Sequence, residues 1–186
     1  EVLFQLLELN RDYLLAAKQA CQLFSLRVPQ PFINRMQKGD INDPLLRQVL
    51  PLEQEWQSPP HFTDDPLAEK DYNPLPGLLH KYRSRVLLTV ASACAINCRY
   101  CFRRVFDYSH NHPGRQGWQR VLTYIRKNKQ INEVIYSGGD PLLAGDDYLA
   151  WLTEAIADIP HIKRLRVHSR LPITIPQRIC QDFINW

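Results

Sequence analysis

Residues 85–101 read Arg-Val-Leu-Leu-Thr-Val-Ala-Ser-Ala-Cys-Ala-Ile-Asn-Cys-Arg-Tyr-Cys, an apolar run that leads directly into three cysteines. The first seven residues are nearly all apolar, as is typical of a parallel strand that is buried on both faces. The cysteines therefore follow a buried strand on its exit loop. In α/β barrels the loops at the carboxyl ends of the strands carry the functional groups.

The sequence after this stretch alternates between strand and helix patterns. The predicted strands are 132–136 and 161–167, and the predicted helices are 118–127, 146–158 and 177–186. This alternation predicts an α/β fold with three βα units, the N-terminal portion of a partial (β/α) TIM-type barrel over residues 85–186. Because three units cannot close such a barrel, we expect the chain to be truncated within it.

The residues before the first strand predict two further segments. Residues 1–50 predict a helical N-terminal segment, in which Asp43 before Pro44 is expected to cap a second short helix. Residues 51–84 contain the six prolines Pro51, Pro59, Pro60, Pro66, Pro74 and Pro76. Proline at this density disrupts long helices and central strands, so the segment is predicted to be an extended connector.

The composition excludes several classes of protein. A formal net charge of +4 over 186 residues is well below that of a typical nucleic-acid-binding protein, and no apolar run is long enough to span a membrane. Three of the five cysteines fall within eight residues, which favours a metal or cluster site in a reducing compartment over disulfides. We therefore expect a cytoplasmic protein in which Cys21 and Cys180 are ordinary core residues.

The spacing of Cys94, Cys98 and Cys101 predicts an iron–sulfur cluster. Three thiolates on one loop can hold three irons of a [4Fe–4S] cluster and leave the fourth iron open for another ligand. The alternative is a zinc site with His110 or His112 as the fourth ligand. Structural zinc sites usually pair two short ligand segments from separate parts of the chain, so the cluster is favoured.

Two further motifs are candidate parts of the same site. Ser137-Gly138-Gly139-Asp140 follows the second predicted strand, and its glycines allow the backbone to approach a ligand closely, although this composition is also typical of a plain turn. Arg103 follows the third cysteine and could bind a carboxylate in bidentate fashion. The alternative for Arg103 and Arg104 is an ordinary solvated basic surface.

The cysteine motif, with Tyr100 before the last cysteine, resembles the fingerprint CxxxCxΦC of the radical S-adenosylmethionine superfamily, in which Φ is aromatic. Essentially the whole chain resembles the lysine 2,3-aminomutase family within this superfamily. Segments 43–50, 98–104 and 168–173 look most like the subgroup that makes (R)-β-lysine for elongation factor P.

The resemblance implies a role for particular residues. Cys94, Cys98 and Cys101 would hold the cluster, whose open iron binds the methionyl part of S-adenosylmethionine, and Arg103 would bind the substrate carboxylate. Arg85 is the first candidate, and Lys81 the second, to bind the phosphate of pyridoxal phosphate. The alternative is that both are ordinary basic residues flanking a strand. The residues implied to contact S-adenosylmethionine are Tyr100, Ser137, Gly138, Gly139, Asp140, His168, Ser169 and Arg170.

The activity implied by the resemblance is that of an isomerase. With S-adenosylmethionine, pyridoxal 5′-phosphate and a [4Fe–4S] cluster, it would convert (S)-α-lysine to (R)-β-lysine by a radical 1,2-amino shift. The implied partners are an electron donor such as flavodoxin or ferredoxin, elongation factor P with its lysyl ligase, and a second copy of the chain in a homo-oligomer. The family's pyridoxal-phosphate lysine has no counterpart in this chain, so the fragment alone is expected to be inactive.

Two alternatives to this function remain open at this point. One lies within the family and is a metabolic lysine or glutamate 2,3-aminomutase. The other is a zinc-stabilised nucleic-acid-binding module that would use the basic segments 99–104 and 163–170. The modest net charge and the Gly-Gly loop argue against this module.

Overall fold

A computed structural model of the chain describes residues 1–57 and 60–186 and has the α/β fold that the sequence predicts. The chain forms two compact units. The first contains the described residues of 1–66 together with 95–105 and 173–175, and the second contains 67–94, 106–172 and 176–186. The chain therefore passes from the second unit to the first directly after Cys94.

The elements of both units are short, apart from two helices. The helices are α1 (Val2–Leu6), α2 (Leu14–Leu23), α3 (Gln30–Ile33), α4 (Arg115–Lys127), α5 (Asp146–Ala157), α6 (Leu171–Thr174) and α7 (Gln181–Ile184). The 3-10 helices are Arg11–Tyr13, Leu46–Gln48, Glu53–Trp56, Glu69–Tyr72, Pro141–Leu143 and Pro176–Arg178. The strands are β1 (Leu78–Tyr82), β2 (Arg85–Ala91), β3 (Glu133–Gly138) and β4 (Arg164–Val167). None of the helices among the described residues combines the length and the apolar character needed to cross a membrane.

The second unit is built on a four-stranded mixed sheet with the strand order β1-β2-β3-β4. Strands β2, β3 and β4 are parallel, and β1 pairs with β2 in the antiparallel sense. All six residues of β3 are buried, as expected for a parallel strand covered on both faces. The predicted strands at 85, 132 and 161 are thus confirmed within a few residues.

The two longer helices lie where helices are predicted at 118–127 and 146–158, within three residues at each end. Helix α4 buries Trp118, Val121, Leu122 and Ile125, which recur at helical spacing and form one apolar stripe. Helix α5 buries Leu149, Leu152 and Ile156. Since each helix connects two neighbouring parallel strands, β2 to β4 form the βαβαβ series that the sequence predicts.

The first unit has a separate apolar core. Buried residues from α1, α2, α3 and the turn around Leu46 pack together, and Ile96 of the cysteine segment is buried among them. Asp43 acts as a cap as predicted, because its Oδ1 accepts hydrogen bonds from the backbone N–H groups of Leu45 and Leu46. The helix that it caps is only the 3-10 turn Leu46–Gln48.

Strand β1 was not predicted, because it lies in the segment interpreted as a connector. Leu78 and Leu79 are buried, whereas Lys81 and Tyr82 are exposed. The strand pairs with β2 on one side, and at such an edge position the nearby Pro74 and Pro76 do not interrupt a hydrogen-bonded ladder. Pro59, which belongs to the same predicted connector, lies outside the described residues.

The prediction of one helix over 177–186 is wrong. The segment contains the 3-10 turn Pro176–Arg178 and the one-turn helix α7, and between them Cys180 has extended backbone with φ −115° and ψ 178°. Ile179 is 40% exposed and Ile184 is 64% exposed, so the segment lacks the buried apolar stripe that stabilises a longer helix. Cys180 is exposed rather than part of the core, and Cys21 is half-buried.

Candidate functional site

The three clustered cysteines lie where the chain passes between the two units. Cys94 belongs to the second unit, and Cys98 and Cys101 belong to the first. All three are half-buried thiols that form no disulfide, and burial raises the pKa of Cys101. Across residues 1–57 and 60–186, no three His, Cys, Asp or Glu side chains are grouped as a metal site. Thiolates are the soft donors that an iron–sulfur cluster takes, so the residue types fit such a cluster although the structure does not group the three side chains.

The backbone around Cys98 is anchored within the first unit. The N–H of Asn97 donates to the carbonyl of Arg27 at 2.9 Å, and the N–H of Arg99 donates to the carbonyl of Gln48 at 2.8 Å. A third hydrogen bond, 3.0 Å long, joins the N–H of Cys101 to the carbonyl of Cys98. The segment is therefore held in a fixed turn between its second and third cysteines.

An acidic residue that the sequence did not single out holds the side chains of this turn. Glu55 accepts hydrogen bonds from Arg99 Nε at 2.8 Å and from Arg104 Nη1 at 3.2 Å, and Arg99 Nη2 forms a second contact with it. The Arg99 side chain is 7% exposed and that of Glu55 is 12% exposed. Arg104 is therefore an exposed surface residue that pairs with Glu55.

Tyr100 and Arg103 lie in the same turn of the first unit but differ in exposure. Tyr100 is 64% exposed, and its hydroxyl is 3.4 Å from the Gln48 Oε1. Arg103 is 8% exposed, and its guanidinium lies over the ring of Phe102, 5.0 Å from the ring centroid. The Tyr100 ring is thus largely exposed, whereas the Arg103 guanidinium is packed against the protein.

The Gly-Gly loop at the end of β3 packs against the end of β2. The N–H of Gly139 donates to the Ala91 carbonyl at 2.7 Å, and the N–H of Asp140 donates to the Ala93 carbonyl at 2.8 Å. A Cβ on Gly138 would lie 2.4 Å from the Ala91 oxygen, and one on Gly139 would lie 2.2 Å from the Ala93 oxygen. Only glycine allows the two backbones to lie this close together. The loop thereby holds in place the backbone that leads into Cys94.

The Gly138 backbone also requires glycine, because its φ is +113°. Its carbonyl accepts a 2.7 Å hydrogen bond from the Tyr108 hydroxyl. Ser137 is buried at the end of β3, opposite Thr89 of β2, and the Thr89 hydroxyl donates to the Asn111 carbonyl at 3.0 Å. The segment that follows the cysteine turn thus returns to the ends of both strands.

Asp140 joins the exit of β3 to the exit of β4. It is 4% exposed, and its carboxylate accepts hydrogen bonds from the Ser169 hydroxyl at 2.6 Å and the Leu142 N–H at 3.1 Å. The N–H groups of Arg170 and Leu171 donate to its other oxygen at 2.8 and 3.0 Å. The two predicted cofactor segments, 137–140 and 168–170, are therefore brought together through this carboxylate.

His168 lies at the same edge of the sheet. Its N–H donates to the carbonyl of Tyr136 at 2.9 Å, and its side chain is exposed. The Tyr136 hydroxyl is bonded to Thr153, and burial raises the pKa of Tyr136 above its ordinary value. Tyr136 therefore acts as a core residue, and His168 faces solvent.

Arg85 and Lys81 lie at the opposite end of the sheet from these loops. Arg85 begins β2, and six residue steps along an extended strand place Ala91 roughly 20 Å away. The Lys81 Nζ donates to the Leu67 carbonyl at 2.7 Å, and the Arg85 guanidinium lies 4.9 Å from the Tyr82 ring centroid. The structure therefore does not bring this pair together with the Gly-Gly loop.

The histidines considered for a zinc site lie in the second unit. His110 is exposed, and its Nδ1 contacts the Asp107 carboxylate. Hydrogen bonds from the Ser109 hydroxyl and from His110 hold the pKa of Asp107 well below its ordinary value. His112 lines a cavity of about 710 Å³ beside the end of β2.

This cavity is bordered mainly by aromatic and small residues. Trp118, Tyr148 and Trp151 line it together with the backbone of 90–93, and burial raises the pKa of Tyr148 to about 12. The described lining of the cavity contains none of the residues predicted to contact a cofactor.

Comparison with known proteins relates this geometry to a family. The chain matches no family model. It is 51% identical over 184 residues to the L-lysine 2,3-aminomutase of Escherichia coli and 49% identical over 183 residues to that of Haemophilus influenzae, covering 98% of the chain in both cases. This chain belongs to the lysine 2,3-aminomutase family. More distant aminomutases also match, such as that of Clostridium subterminale at 33% identity over 168 residues.

The lysine 2,3-aminomutase relatives are longer than this chain. The matched region covers 54% of the Escherichia coli protein and of the Haemophilus influenzae protein, so the chain spans about half the length of these curated relatives. The similarity to these aminomutases confirms the family that the sequence motifs predict. It does not distinguish the subgroup that serves elongation factor P.

Proposed function

We propose that the protein carrying this chain is a radical S-adenosylmethionine lysine 2,3-aminomutase that converts (S)-α-lysine to (R)-β-lysine for elongation factor P. The packing of the Gly-Gly loop against residues 91–93 carries the proposal. It fixes one predicted cofactor loop beside the backbone that leads into the cysteine segment. The match to proteins named L-lysine 2,3-aminomutase supports the reaction class and the substrate.

Each group of residues has a distinct role in the proposal. Cys94, Cys98 and Cys101 would hold a [4Fe–4S] cluster that supplies the electron for cleavage of S-adenosylmethionine, with pyridoxal phosphate as the second cofactor. The exposed ring of Tyr100 is available to pack against an adenine. The loop 137–139, which its glycines pack against residues 91–93, would bind the polar methionyl part of the cofactor.

The substrate and phosphate contacts are assigned to three basic residues. Arg103 would bind the lysine carboxylate, which requires its guanidinium to turn away from Phe102. Arg85 and Lys81 remain candidates for the phosphate of pyridoxal phosphate, although they lie at the amino end of β2. Asp140, Ser169 and Arg170 support the cofactor loop through their mutual hydrogen bonds.

The structure offers little support for a nucleic-acid-binding module. Two arginines of segment 99–104 are paired with Glu55. In segment 163–170, Arg164 and Arg166 contact the buried Glu133 at 3.2 and 3.0 Å. Four of the seven Lys and Arg residues in these two segments thus pair with two acids, Glu55 and Glu133, which weakens their attraction for phosphates.

The product formed by the full-length protein tests this function. The protein, reconstituted without oxygen, is incubated with S-adenosylmethionine, pyridoxal phosphate, a reductant and either lysine or glutamate. We expect (R)-β-lysine on chiral chromatography, and no product from the variant Cys98→Ser. A β-amino acid formed from glutamate alone would contradict the assignment of the substrate.

The role in elongation factor P modification is tested separately. Unmodified elongation factor P is incubated with its lysyl ligase and the reaction product, and its mass is compared with that obtained with (S)-α-lysine. We expect efficient attachment of the product of this enzyme. If the ligase prefers (S)-α-lysine, the enzyme serves a metabolic route instead.

A further inference from the structure

We propose that Glu55 is a positioning residue for the iron–sulfur cluster and acts through Arg99, which lies between the second and third cluster cysteines. The inference rests on the proposed function, because it assigns a purpose to residues around a cluster that the chain is proposed to hold. Glu55 lies in the 3-10 helix Glu53–Trp56, 44 residues before Arg99 in the sequence. No motif marks it in the sequence.

The contact between Glu55 and Arg99 has the geometry of a two-point ion pair. Arg99 Nε donates to one carboxylate oxygen at 2.8 Å, and Arg99 Nη2 contacts the other oxygen. The remaining terminal nitrogen, Nη1, donates to the Phe24 carbonyl at 2.7 Å. All three guanidinium nitrogens are thus bonded, which fixes the direction of this side chain as well as its position.

Burial makes this pair difficult to rearrange. The Arg99 side chain is 7% exposed and that of Glu55 is 12% exposed, and the guanidinium lies 5.1 Å from the centroid of the Phe24 ring. A buried cation that loses its anion carries a large desolvation penalty, so it moves towards water instead of staying in place. Because the Arg99 backbone joins Cys98 to Tyr100, such a movement would displace the cysteine turn.

Glu55 also holds the end of the same turn. Its Oε2 is 3.2 Å from Arg104 Nη1, and its Oε1 accepts a hydrogen bond from the Leu52 N–H at 3.1 Å. One carboxylate thus faces two cations, at positions 99 and 104, that bracket Cys101. Outer partners of this kind tune a metal site, and their loss typically weakens metal binding about 10- to 100-fold.

The test compares Glu55→Gln with Glu53→Gln, a matched change at an exposed position two residues earlier in the same 3-10 helix. The full-length proteins are reconstituted without oxygen. The rate of iron loss to a chelator and the electron spin resonance spectrum of the reduced protein are measured. We expect Glu55→Gln to lose iron about ten-fold faster and to show a shifted spectrum, and Glu53→Gln to match the wild-type protein. Circular dichroism of the cluster-free proteins shows whether the fold itself has changed.

A second pair of variants covers the case in which Glu55→Gln does not fold. Arg99→Lys keeps the positive charge but cannot form the two-point contact, so it should also accelerate iron loss. Glu55→Asp keeps the charge and should retain iron better than Arg99→Lys. Wild-type iron retention and spectrum in a folded Glu55→Gln, or in Arg99→Lys, would overturn the inference. A wild-type protein that binds no iron would instead overturn the proposed function.

Discussion

At the scale of single residues, the ends of β2, β3 and β4 are held by atoms that are packed too closely to change. Gly138 and Gly139 lie against the backbone of residues 91–93, and Asp140 accepts four hydrogen bonds from its neighbours. These three residues follow one another in the sequence but hold two different loops. Substitutions here should therefore affect both the stability of the second unit and its cofactor loops.

Gly139→Ala should disturb the loop by steric overlap. The new Cβ would lie 2.2 Å from the Ala93 oxygen and 2.5 Å from its carbonyl carbon, so the backbone must shift. We expect a loss of about 1–3 kcal/mol in the free energy of unfolding, as for other overpacked sites. Urea unfolding measures this loss.

The matched control is Gly145→Ala, where a Cβ meets no atom within 4 Å. This residue precedes α5, so only the modest cost of an altered helix start is expected. If both variants unfold at the same urea concentration, the close approach at Gly139 is not a constraint on the fold.

Asp140→Asn should destabilise the second unit by removing an acceptor. The amide NH₂ group would face N–H or O–H donors that now point to a carboxylate oxygen. An unsatisfied buried donor costs about 1–3 kcal/mol. Urea unfolding of this variant should show that loss, whereas Asp64→Asn, at an exposed position, should leave the midpoint unchanged.

At the scale of elements, an ion pair fixes the start of α5 to the segment after β4. The Arg178 Nε donates to the Leu142 carbonyl at 2.8 Å, and its guanidinium contacts both oxygens of Asp146. The Trp186 indole N–H donates to Asp146 at 3.0 Å. Arg178 lowers the pKa of Asp146, and the Trp186 hydrogen bond also lowers it.

This pair predicts a pH-dependent stability. Because the pKa of Asp146 is lower in the folded state than its ordinary value of 3.8, its contribution is fully present above that value. The contribution is lost as the pH falls through the lowered pKa. Asp146→Asn should therefore destabilise the protein at pH 7, and the difference from wild type should shrink as the pH falls below about 4.

Urea unfolding across this pH range checks the prediction, with Asp182→Asn as the control. Asp182 also lies in the first turn of a helix but is exposed. A difference between Asp146→Asn and wild type that stays constant down to pH 3 would show that the pair does not act through charge.

The sequence predicted those elements whose apolar pattern matches their burial. Helices α4 and α5 bury residues at the 3.6-residue period, and strand β3 is buried along its whole length. Strand β1 escaped prediction because prolines precede it, and the predicted helix at 177–186 does not form over its full length, since Ile179 and Ile184 are exposed. Local pattern thus determines an element only where a neighbouring element covers its apolar face.

The candidate site could be predicted from the sequence in part, for a physical reason. The cysteine spacing and the Gly-Gly loop are local in sequence, and parallel strands bring their exit loops to one edge of the sheet. The contacts of Glu55 with Arg99 and of Asp140 with Ser169 join residues 44 and 29 positions apart. Such pairings depend on the tertiary fold, which no short motif contains.

At the scale of the whole molecule, the chain combines two compact units and spans about half the length of its curated aminomutase relatives. Its residues include those proposed to hold the cluster and those proposed to contact S-adenosylmethionine. No lysine of this chain is assigned to pyridoxal phosphate. The central claim therefore concerns the cluster, and its test does not require turnover of lysine.

Metal and sulfide analysis of the anaerobically reconstituted full-length protein, with electron spin resonance before and after addition of S-adenosylmethionine, tests this claim most directly. The account predicts about four irons and four sulfides per chain, and a spectrum that changes when the cofactor binds the open iron. A protein that contains about one zinc and no sulfide, or a cluster spectrum that S-adenosylmethionine leaves unchanged, would contradict it.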